Sequence, residues 1–215
     1  MKLGVFDSGI GGEAIANSLR LTFPDAEIIS VNDHDHVPYG NRPQTEIIQL
    51  TDTAIQPLLA SNCDIIILAC NTATALAIDS LRQKYPTQKF IGIEPMVKTA
   101  AKLTKSQIVA VCATPATLGS VRYHKLVEKF GSDMHIIEPD CRSWAQMIEN
   151  NQVNYNVISQ TINDVCDQGA DVIVLGCTHY NWIQNEIVEL SAGRAKVIEP
   201  SESIGKRVKQ LLDLS

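Results

Sequence analysis

The sequence lacks any long apolar segment. Its longest uninterrupted apolar run, Ile65–Cys70, is far too short to cross a bilayer. The apolar residues at the start of the chain reach an acid at Asp7, which is too early for a signal peptide. These two absences predict a cytoplasmic protein that does not associate with a membrane.

Long basic runs are also absent, and the formal net charge is −6. Nucleic acid is therefore not an expected partner, because its phosphates are bound through clustered basic residues. The cysteines form no C-x-x-C pair and no zinc-type double pair, so we predict no metal site and expect free thiols in a reducing compartment. These thiols are Cys63, Cys70, Cys112, Cys141, Cys166 and Cys177.

The most distinctive feature of the sequence is a stretch that occurs twice. Asp64–Thr72 reads D-I-I-I-L-A-C-N-T, and Asp171–His179 reads D-V-I-V-L-G-C-T-H. Each copy predicts a buried strand of a parallel sheet that ends at a cysteine. A helix should follow each cysteine, over Ala73–Lys84 and over Asn181–Leu190. Both cysteines would then lie at the carboxyl ends of strands, where open α/β sheets bind their ligands.

Strand and helix patterns alternate along the chain, which predicts parallel sheets with right-handed crossovers. The strand after each repeated stretch runs into a Glu-Pro pair, at Glu94 and at Glu199, which indicates a duplication. We therefore predict an α/β fold of two pseudo-symmetric lobes, each a mostly parallel four-stranded sheet flanked by helices, with the active site between them. The predicted strands are Leu3–Phe6, Glu27–Val31, Ile65–Ala69, Phe90–Ile93, Ile108–Val111, His135–Ile137, Val172–Leu175 and Lys196–Ile198.

The two-lobe interpretation also predicts where the chain divides. Residues 1–98 should form the N-terminal lobe and residues 99–205 the C-terminal lobe, with a hinge near Lys98–Lys105. Residues 206–215 should be the end of a C-terminal helix that could pack back on the first lobe.

The paired cysteines have two interpretations. Free cysteine is often a small buried residue, but packing gives no reason to keep a thiol at both equivalent positions. A helix N-terminus can bring a thiol pKa from about 8.5 toward neutrality. One thiolate could then remove a proton from one face of a carbon while the opposite thiol donates a proton to the other face. That is the requirement for inverting a stereocentre by two-base proton transfer.

The loop Asp7–Gly12, D-S-G-I-G-G, lies between the first strand and a predicted helix. The glycine spacing over Gly9–Ala14 fits a dinucleotide fingerprint, with Asp33 at the end of the next strand, but a lone match of this kind is weak. Asp7 would also repel a pyrophosphate. The loop is better suited to a small carboxylate bound by Ser8 and the glycine amides, with Asp7 assisting a nearby thiol. A tight turn that requires glycine is compatible with both interpretations.

Polar pairs follow both cysteines, at Asn71-Thr72 and Thr178-His179. They could cap helices or bind the amino and carboxylate groups of a substrate. His179 could also raise the thiolate fraction of the neighbouring cysteine by pairing as imidazolium. The histidines of His34–His36 indicate a solvated polar loop rather than a metal site, because two histidines do not complete one.

Together these motifs resemble the glutamate racemase family, within the aspartate/glutamate racemase superfamily. D-S-G-I-G-G, P-Y-G, A-C-N-T-A, A-T-P-A-T and G-C-T-H-Y occur in the family's order between Leu3 and about Lys209, and five motifs in order are highly specific. The resemblance implies interconversion of L- and D-glutamate without a cofactor, which would supply D-glutamate for peptidoglycan. It implies glutamate as the small-molecule partner and leaves a homodimer open.

The resemblance also implies roles for individual residues. Cys70 and Cys177 would be the catalytic acid/base thiols, and Asp7 and His179 would assist them. The positions that match substrate contacts in the family are Asp7, Ser8, Tyr39, Gly40, Asn71, Thr72, Thr178 and His179. Thr114 and Thr117 are expected to line the same cleft. The alternatives are an aspartate- or hydantoin-type racemase with the same thiols, or a binding or regulatory protein that retains the fold.

The sequence departs from the family pattern in four places. His36 stands where relatives usually carry arginine, Asn181 replaces a proline, and Asp140–Trp144 lacks the usual C-P-containing pattern. The chain also ends soon after its last predicted helix, where most relatives add a strand and a helix that would cover the first lobe. We expect these departures to affect stability, oligomer contacts and regulation more than the thiol pair.

Overall fold

The computed structural model describes residues 1–201 and 203–212, and the backbone of residue 202. Two parallel four-stranded sheets form the framework. The first has the order β2-β1-β3-β4 and the second the order β6-β5-β7-β8, so the two sheets share one topology. The strands are β1 (Lys2–Asp7), β2 (Glu27–Asn32), β3 (Ile65–Leu68), β4 (Lys89–Gly92), β5 (Ile108–Ala113), β6 (His135–Ile137), β7 (Val172–Gly176) and β8 (Lys196–Ile198). The predicted fold class is confirmed.

Helices cover both faces of each sheet, as parallel strands require. The α-helices are α1 (Gly12–Thr22), α2 (Gln44–Ala54), α3 (Gln56–Ala60), α4 (Asn71–Lys84), α5 (Val97–Leu103), α6 (Pro115–Leu118), α7 (Val121–Phe130), α8 (Trp144–Glu149), α9 (Tyr155–Asp167), α10 (Gln184–Ser191) and α11 (Ser201–Leu211). Short 3₁₀ segments occupy His34–His36, Tyr39–Asn41 and Thr178–Ile183. None of the helices within these described residues is long and apolar enough to span a membrane.

The repeated apolar runs form the centre of each lobe. In β3 all four residues are buried, and successive residues alternate between the two cores on either side of the sheet. The equivalent strand β7 divides its residues in the same way between the two cores of the second lobe. A run that is apolar at every position is therefore explained by burial on both faces.

Three local predictions can be compared with the structure. The apolar pattern of residues 44–61 predicts one long helix with a kink or a break at Pro57. The structure has two helices, which meet at Ile55, and Pro57 lies in the first turn of α3, where proline is tolerated. The predicted hinge near Lys98–Lys105 stays a prediction, and α5 occupies Val97–Leu103 of this stretch. Its apolar side, with Val97 and Ala100, packs in a core of the second lobe.

The helix predicted over Asn181–Leu190 begins later than expected. A 3₁₀ segment, Thr178–Ile183, comes first, and α10 begins only at Gln184. Thr178, His179 and Tyr180 are all buried although they are consecutive. Their burial comes from what packs around the segment: His179 contacts Glu149, and the Tyr180 hydroxyl donates to the Cys141 carbonyl.

The C-terminal helix connects the two halves of the chain. Although α11 follows β8 of the second sheet, it packs against α1, and Ile204 and Val208 join the core that contains Ile15 and Leu19. The proposed division at residues 98 and 99 stays a prediction, and α5 already packs with the second sheet. The last three residues of the predicted 206–215 segment lie outside the described residues.

Candidate active site

The two sheets present the carboxyl ends of their central strands to one cavity. Asp7 ends β1, Cys70 follows β3, Thr114 follows β5 and Cys177 follows β7. The cavity is nearly closed, with a volume of about 10 Å³. Its lining residues are Ser8, Pro38, Tyr39, Gly40, Cys70, Asn71, Thr72, Thr114, Ala145, Cys177, Thr178 and His179. The fold thus brings the motif residues together around one cavity, although they are far apart in the sequence.

Cys70 lies at the N-terminus of α4. Its Sγ accepts a hydrogen bond from the Ala73 backbone N–H at 3.4 Å and lies 3.3 Å from Ser8 Oγ. Burial and the nearby charge of Asp7 raise the pKa of the Cys70 thiol to about 12, although the Ser8 and Ala73 contacts oppose this rise. The expectation that the helix N-terminus brings this thiol toward neutrality is therefore wrong, and Cys70 is a protonated thiol at neutral pH.

Cys177 has a different neighbourhood. Its Sγ lies 3.8 Å from Nδ1 of His179, which is almost fully buried. Burial would lower the pKa of His179, but its contacts with Cys177 and Glu149 raise that pKa well above the ordinary value of 6.5. The ring is therefore an imidazolium at neutral pH, and a cation beside sulfur favours negative charge on the sulfur.

Glu149, at the end of α8, was not predicted as a site residue. Its Oε2 lies 2.6 Å from His179 Nε2 and accepts a hydrogen bond from the Ile10 backbone N–H at 3.3 Å. Burial would raise the pKa of Glu149, but hydrogen bonds from His179, Ile10 and His34 hold it below its usual value. Glu149 stands 30 positions before His179 and belongs to no motif, so its place in the site can be seen only in the three-dimensional structure.

Asp7 joins the two lobes. Its Oδ1 accepts a hydrogen bond from the Gly9 backbone N–H at 2.9 Å, and its Oδ2 accepts one from the Thr178 hydroxyl at 2.8 Å. Burial raises the pKa of Asp7 above its ordinary value, while the charge of His179 and these hydrogen bonds oppose the rise. Asp7 thus contacts the Cys177 side through Thr178 and lies near Cys70, but it borders the neighbouring cavity rather than lining this one.

The glycines of the first loop allow this close approach. A Cβ atom at Gly11 would lie 2.5 Å from Thr178 Oγ1 and 2.7 Å from the Thr178 carbonyl carbon. A Cβ atom at Gly12 would lie 2.4 Å from Cβ of Asp7. The loop is therefore packed against the opposite lobe, and a pyrophosphate would have no space there. The dinucleotide interpretation does not fit this geometry.

Tyr39 and Asn71 line the cavity with different polar atoms. The Tyr39 hydroxyl donates a hydrogen bond to Asp33 Oδ2 at 2.7 Å, and burial together with Asp33 raises the pKa of Tyr39. Nδ2 of Asn71 donates to the Ile93 carbonyl at 3.4 Å. Asn71 Oδ1 is buried without a hydrogen-bond partner among the described residues, so it can accept one from a bound ligand.

Three threonines form a hydroxyl cluster between the lobes. Thr72 Oγ1 lies 2.9 Å from Thr114 Oγ1 and 3.4 Å from Thr117 Oγ1. Thr114 and Gly40 are also in close contact, since a Cβ atom at Gly40 would lie 2.8 Å from Thr114 Cβ. Thr72 and Thr114 line the cavity, whereas Thr117 lies behind them. Thr117 is therefore a support for the cavity wall rather than part of it.

The cavity combines two thiols on opposite lobes with hydrogen-bonding groups between them. Cys70 is a thiol flanked by a hydroxyl and a carboxylate, and Cys177 is flanked by an imidazolium. Such a pair can hold one transferable proton on each side of a bound carbon acid. In the part of the chain that the structure describes, no group of three metal-ligating side chains occurs.

Comparisons with known proteins agree with this geometry. The sequence profile described as Asp/Glu/Hydantoin racemase matches residues 13–202. A glutamate racemase of Ectopseudomonas mendocina (strain ymp) is 33% identical over 214 residues, which are 98% of this chain and 81% of that protein.

Two solved structures have the same fold. The Escherichia coli glutamate racemase, in complex with L-glutamate and the activator UDP-MurNAc-ala, has a TM-score of 0.86 and 25% identity, covering 99% of this chain and 82% of its own. The Francisella tularensis glutamate racemase, in complex with D-glutamate, has a TM-score of 0.82 and 29% identity, covering 99% of this chain and 81% of its own.

Proposed function

Because this chain belongs to the Asp/Glu/hydantoin racemase family and is a racemase of its glutamate racemase group, we propose that it interconverts L- and D-glutamate by proton transfer between Cys70 and Cys177. The single observation that carries the mechanism is that both thiols line one cavity from opposite lobes. Glutamate as substrate is supported by the relatives whose structures hold L- or D-glutamate.

The proposed reaction uses one sulfur on each face of the α-carbon. The thiolate of Cys177 takes the α-proton, so that a C–H bond breaks and an S–H bond forms. The carbanion then takes the proton of the Cys70 thiol on its other face, which leaves Cys70 as thiolate and inverts the configuration. The opposite enantiomer is converted by the reverse sequence. The raised pKa of Cys70 and the imidazolium beside Cys177 suit these starting states.

The α-hydrogen of an amino acid is a very weak acid, so the site must stabilise the carbanion. Hydrogen bonds to the substrate carboxylate and exclusion of water can supply this stabilisation without a cofactor. The proposed donors are the hydroxyls of Ser8 and Thr72 and the backbone N–H of Thr178, whose hydroxyl donates to Asp7, with Asn71 Oδ1 accepting from the substrate ammonium group. Tyr39, Gly40 and Thr114 would complete the wall, with Thr117 behind it, and Asp7 and His179 would assist the thiols.

The wider role is also a proposal. D-Glutamate made by this enzyme would supply peptidoglycan synthesis in the cytoplasm, which is inferred from the family. A homodimer stays a prediction.

Solvent deuterium exchange tests the proposal. In D₂O the protein should place deuterium at the α-carbon of glutamate, and Cys70→Ser and Cys177→Ser should each lower racemisation by at least about a thousandfold, because each removes one of two required proton carriers. Cys166→Ala, which changes a buried thiol outside the cavity, is the matched control and should retain turnover.

The same assay separates the alternatives. Exchange with aspartate or a hydantoin, but not with glutamate, would assign the cavity to another substrate. Binding of glutamate without any exchange would replace the racemase by a binding protein and contradict the proposal.

A further inference from the structure

A line of contacts leads from Cys177 to the surface and ends at a histidine of the other lobe. Cys177 Sγ faces His179 Nδ1, and His179 Nε2 faces Glu149 Oε2. The second oxygen of this carboxylate, Oε1, lies 3.0 Å from His34 Nδ1. His34 and Glu149 are 115 positions apart, and they come from the first and the second lobe, respectively.

Exposure increases along this line. The side chain of His179 is 4% exposed, that of Glu149 is 11% exposed and that of His34 is 49% exposed. His34 also borders a second, wider cavity of about 310 Å³ beside the site. Its ring can therefore reach solvent while its Nδ1–H donates to the buried carboxylate.

We propose that His34 is a positioning residue for the Cys177 side of the site. It holds Glu149 Oε1 from across the lobe interface, so that Oε2 stays directed at His179 and His179 stays directed at the sulfur. This inference rests on the proposed two-thiol racemisation. The histidines of the loop at 34–36 are otherwise explained only as solvated polar residues, and the contact with Glu149 gives one of them a role.

The surroundings of His34 show which charges act on it. Glu149 faces it from α8, and Asp7 and Glu13 border the same wide cavity from β1 and α1. On its own loop, Asp33 and Asp35 are the neighbouring acids, but Asp33 receives hydrogen bonds from His36 and Tyr39. Of these acids, Glu149 is the one that His34 contacts by a hydrogen bond, and it is the one joined to His179.

Three variants separate positioning from a general structural role. His34→Ala removes the donor, His34→Asn places an amide N–H near the position of Nδ1, and Asp35→Ala changes the next exposed residue of the same turn. With glutamate, His34→Ala should lower kcat about tenfold, as expected for loss of a hydrogen bond to a charged group. KM should change less than about twofold, because His34 does not line the substrate cavity.

The pH profile supplies the decisive readout. Without His34, the Glu149 carboxylate loses one of its donors, so the acidic limb of kcat/KM should move to higher pH by about half a unit. His34→Asn should restore both kcat and the wild-type position of the acidic limb of kcat/KM. Asp35→Ala should leave kcat unchanged. A His34→Ala variant with wild-type kcat, or with reduced kcat but an unmoved acidic limb and no recovery in His34→Asn, overturns the proposal.

A measurement without turnover keeps this test independent of the substrate. Carboxyl ¹³C NMR of Glu149 should show a higher pKa in His34→Ala than in the wild type, and His34→Asn should reverse the change. If the wild type exchanged no α-proton of glutamate, the proposed function would fail, while this titration would still decide whether His34 controls Glu149. An unchanged Glu149 titration in His34→Ala overturns the inference.

Discussion

The two sulfur atoms of the cavity have unlike neighbours although their sequence motifs are nearly identical. Ser8, the Ala73 amide and Asp7 surround Cys70, and the carboxylate adds negative charge to a buried thiol. His179 brings positive charge to Cys177. The repeated strand motif therefore supplies the positions of the thiols, and neighbouring residues within each lobe give each thiol its own electrostatics.

Asp7→Asn tests the electrostatics of the Cys70 side. Removing the carboxylate charge should lower the pKa of Cys70 below its value of about 12, because a nearby anion disfavours the thiolate. The pH at which iodoacetamide begins to alkylate Cys70, followed by peptide mass spectrometry, should fall accordingly. Asp25→Asn, at an exposed position, should leave this onset unchanged. An onset at the same or a higher pH in Asp7→Asn would show that Asp7 does not act on this thiol.

Glu149→Gln tests the buried pair with His179. The raised pKa of His179 gives stability that is fully present below about pH 6.5 and is lost as the pH rises through the folded value. The lowered pKa of Glu149 gives stability that is present above about pH 4.5 and is lost as the pH falls through the folded value. Both contributions are present near pH 5.5, where urea unfolding should show a loss of about 3 kcal/mol in the variant.

The same loss should shrink as the pH rises through the raised pKa of His179, where the wild type gives up this proton. Glu46→Gln is the control, since its ion pair with Arg42 is partly exposed and should contribute less than about 1 kcal/mol. A loss in Glu149→Gln that is independent of pH would mean that packing, and not the ion pair, stabilises this site.

The sequence could predict the location of residues beside a repeated strand, while their catalytic and binding roles stay predictions. Cys70, Asn71, Thr72, Cys177, Thr178 and His179 all line the cavity because strand ends place them there. Glu149 could not be found in this way, since α8 brings it to the site by packing across a long sequence separation. Thr117 was expected in the cleft and lies one layer behind it.

At the level of elements, apolar runs and helical periods were enough to predict the strands and most helices. The differences have physical causes. The stretch before β5 forms α5, whose Val97 and Ala100, three positions apart, give it an apolar side that packs in a core. After Cys177, contacts of His179 with Glu149 and of Tyr180 with the Cys141 carbonyl draw consecutive side chains inward, which no local periodicity predicts.

The N-terminal ends of α4 and α6 meet through the threonine cluster, and two substitutions there should differ in effect. Thr114→Val removes a hydroxyl from the cavity wall and should raise KM for glutamate about tenfold. Thr117→Val removes a hydroxyl behind the wall, so it should change KM less than about threefold while lowering the free energy of unfolding by about 1 kcal/mol. Steady-state kinetics and urea unfolding measure both quantities, and equal changes in KM would contradict this layering.

In the whole molecule, the lobes are held together by buried polar contacts at the cavity and by one helix. Asp7 with Thr178, Glu149 with Ile10, and Thr72 with Thr114 each join one lobe to the other. On the surface, Arg122 of α7 pairs with Asp79 of α4 and with Glu94, which adds an ion-pair bridge. We therefore expect the two lobes to unfold as one cooperative unit.

Val208→Ala tests this coupling. Val208 is fully buried where α11 packs on α1, so its truncation should lower the free energy of unfolding by about 2 kcal/mol and should act first on the N-terminal lobe. Both tryptophans, Trp144 and Trp182, lie in the C-terminal lobe, so fluorescence reports on that lobe whereas far-UV circular dichroism reports on the whole chain.

If the lobes are coupled, the urea midpoints seen by fluorescence and by circular dichroism should coincide in the wild type and should fall by the same amount in Val208→Ala. Val188→Ala, at a half-exposed position of α10, should shift neither midpoint by a measurable amount. A variant whose circular dichroism midpoint falls while its fluorescence midpoint stays in place would show lobes that unfold independently. Closure of the cavity would then depend on the polar contacts alone, because α11 would stabilise only the lobe on which it packs.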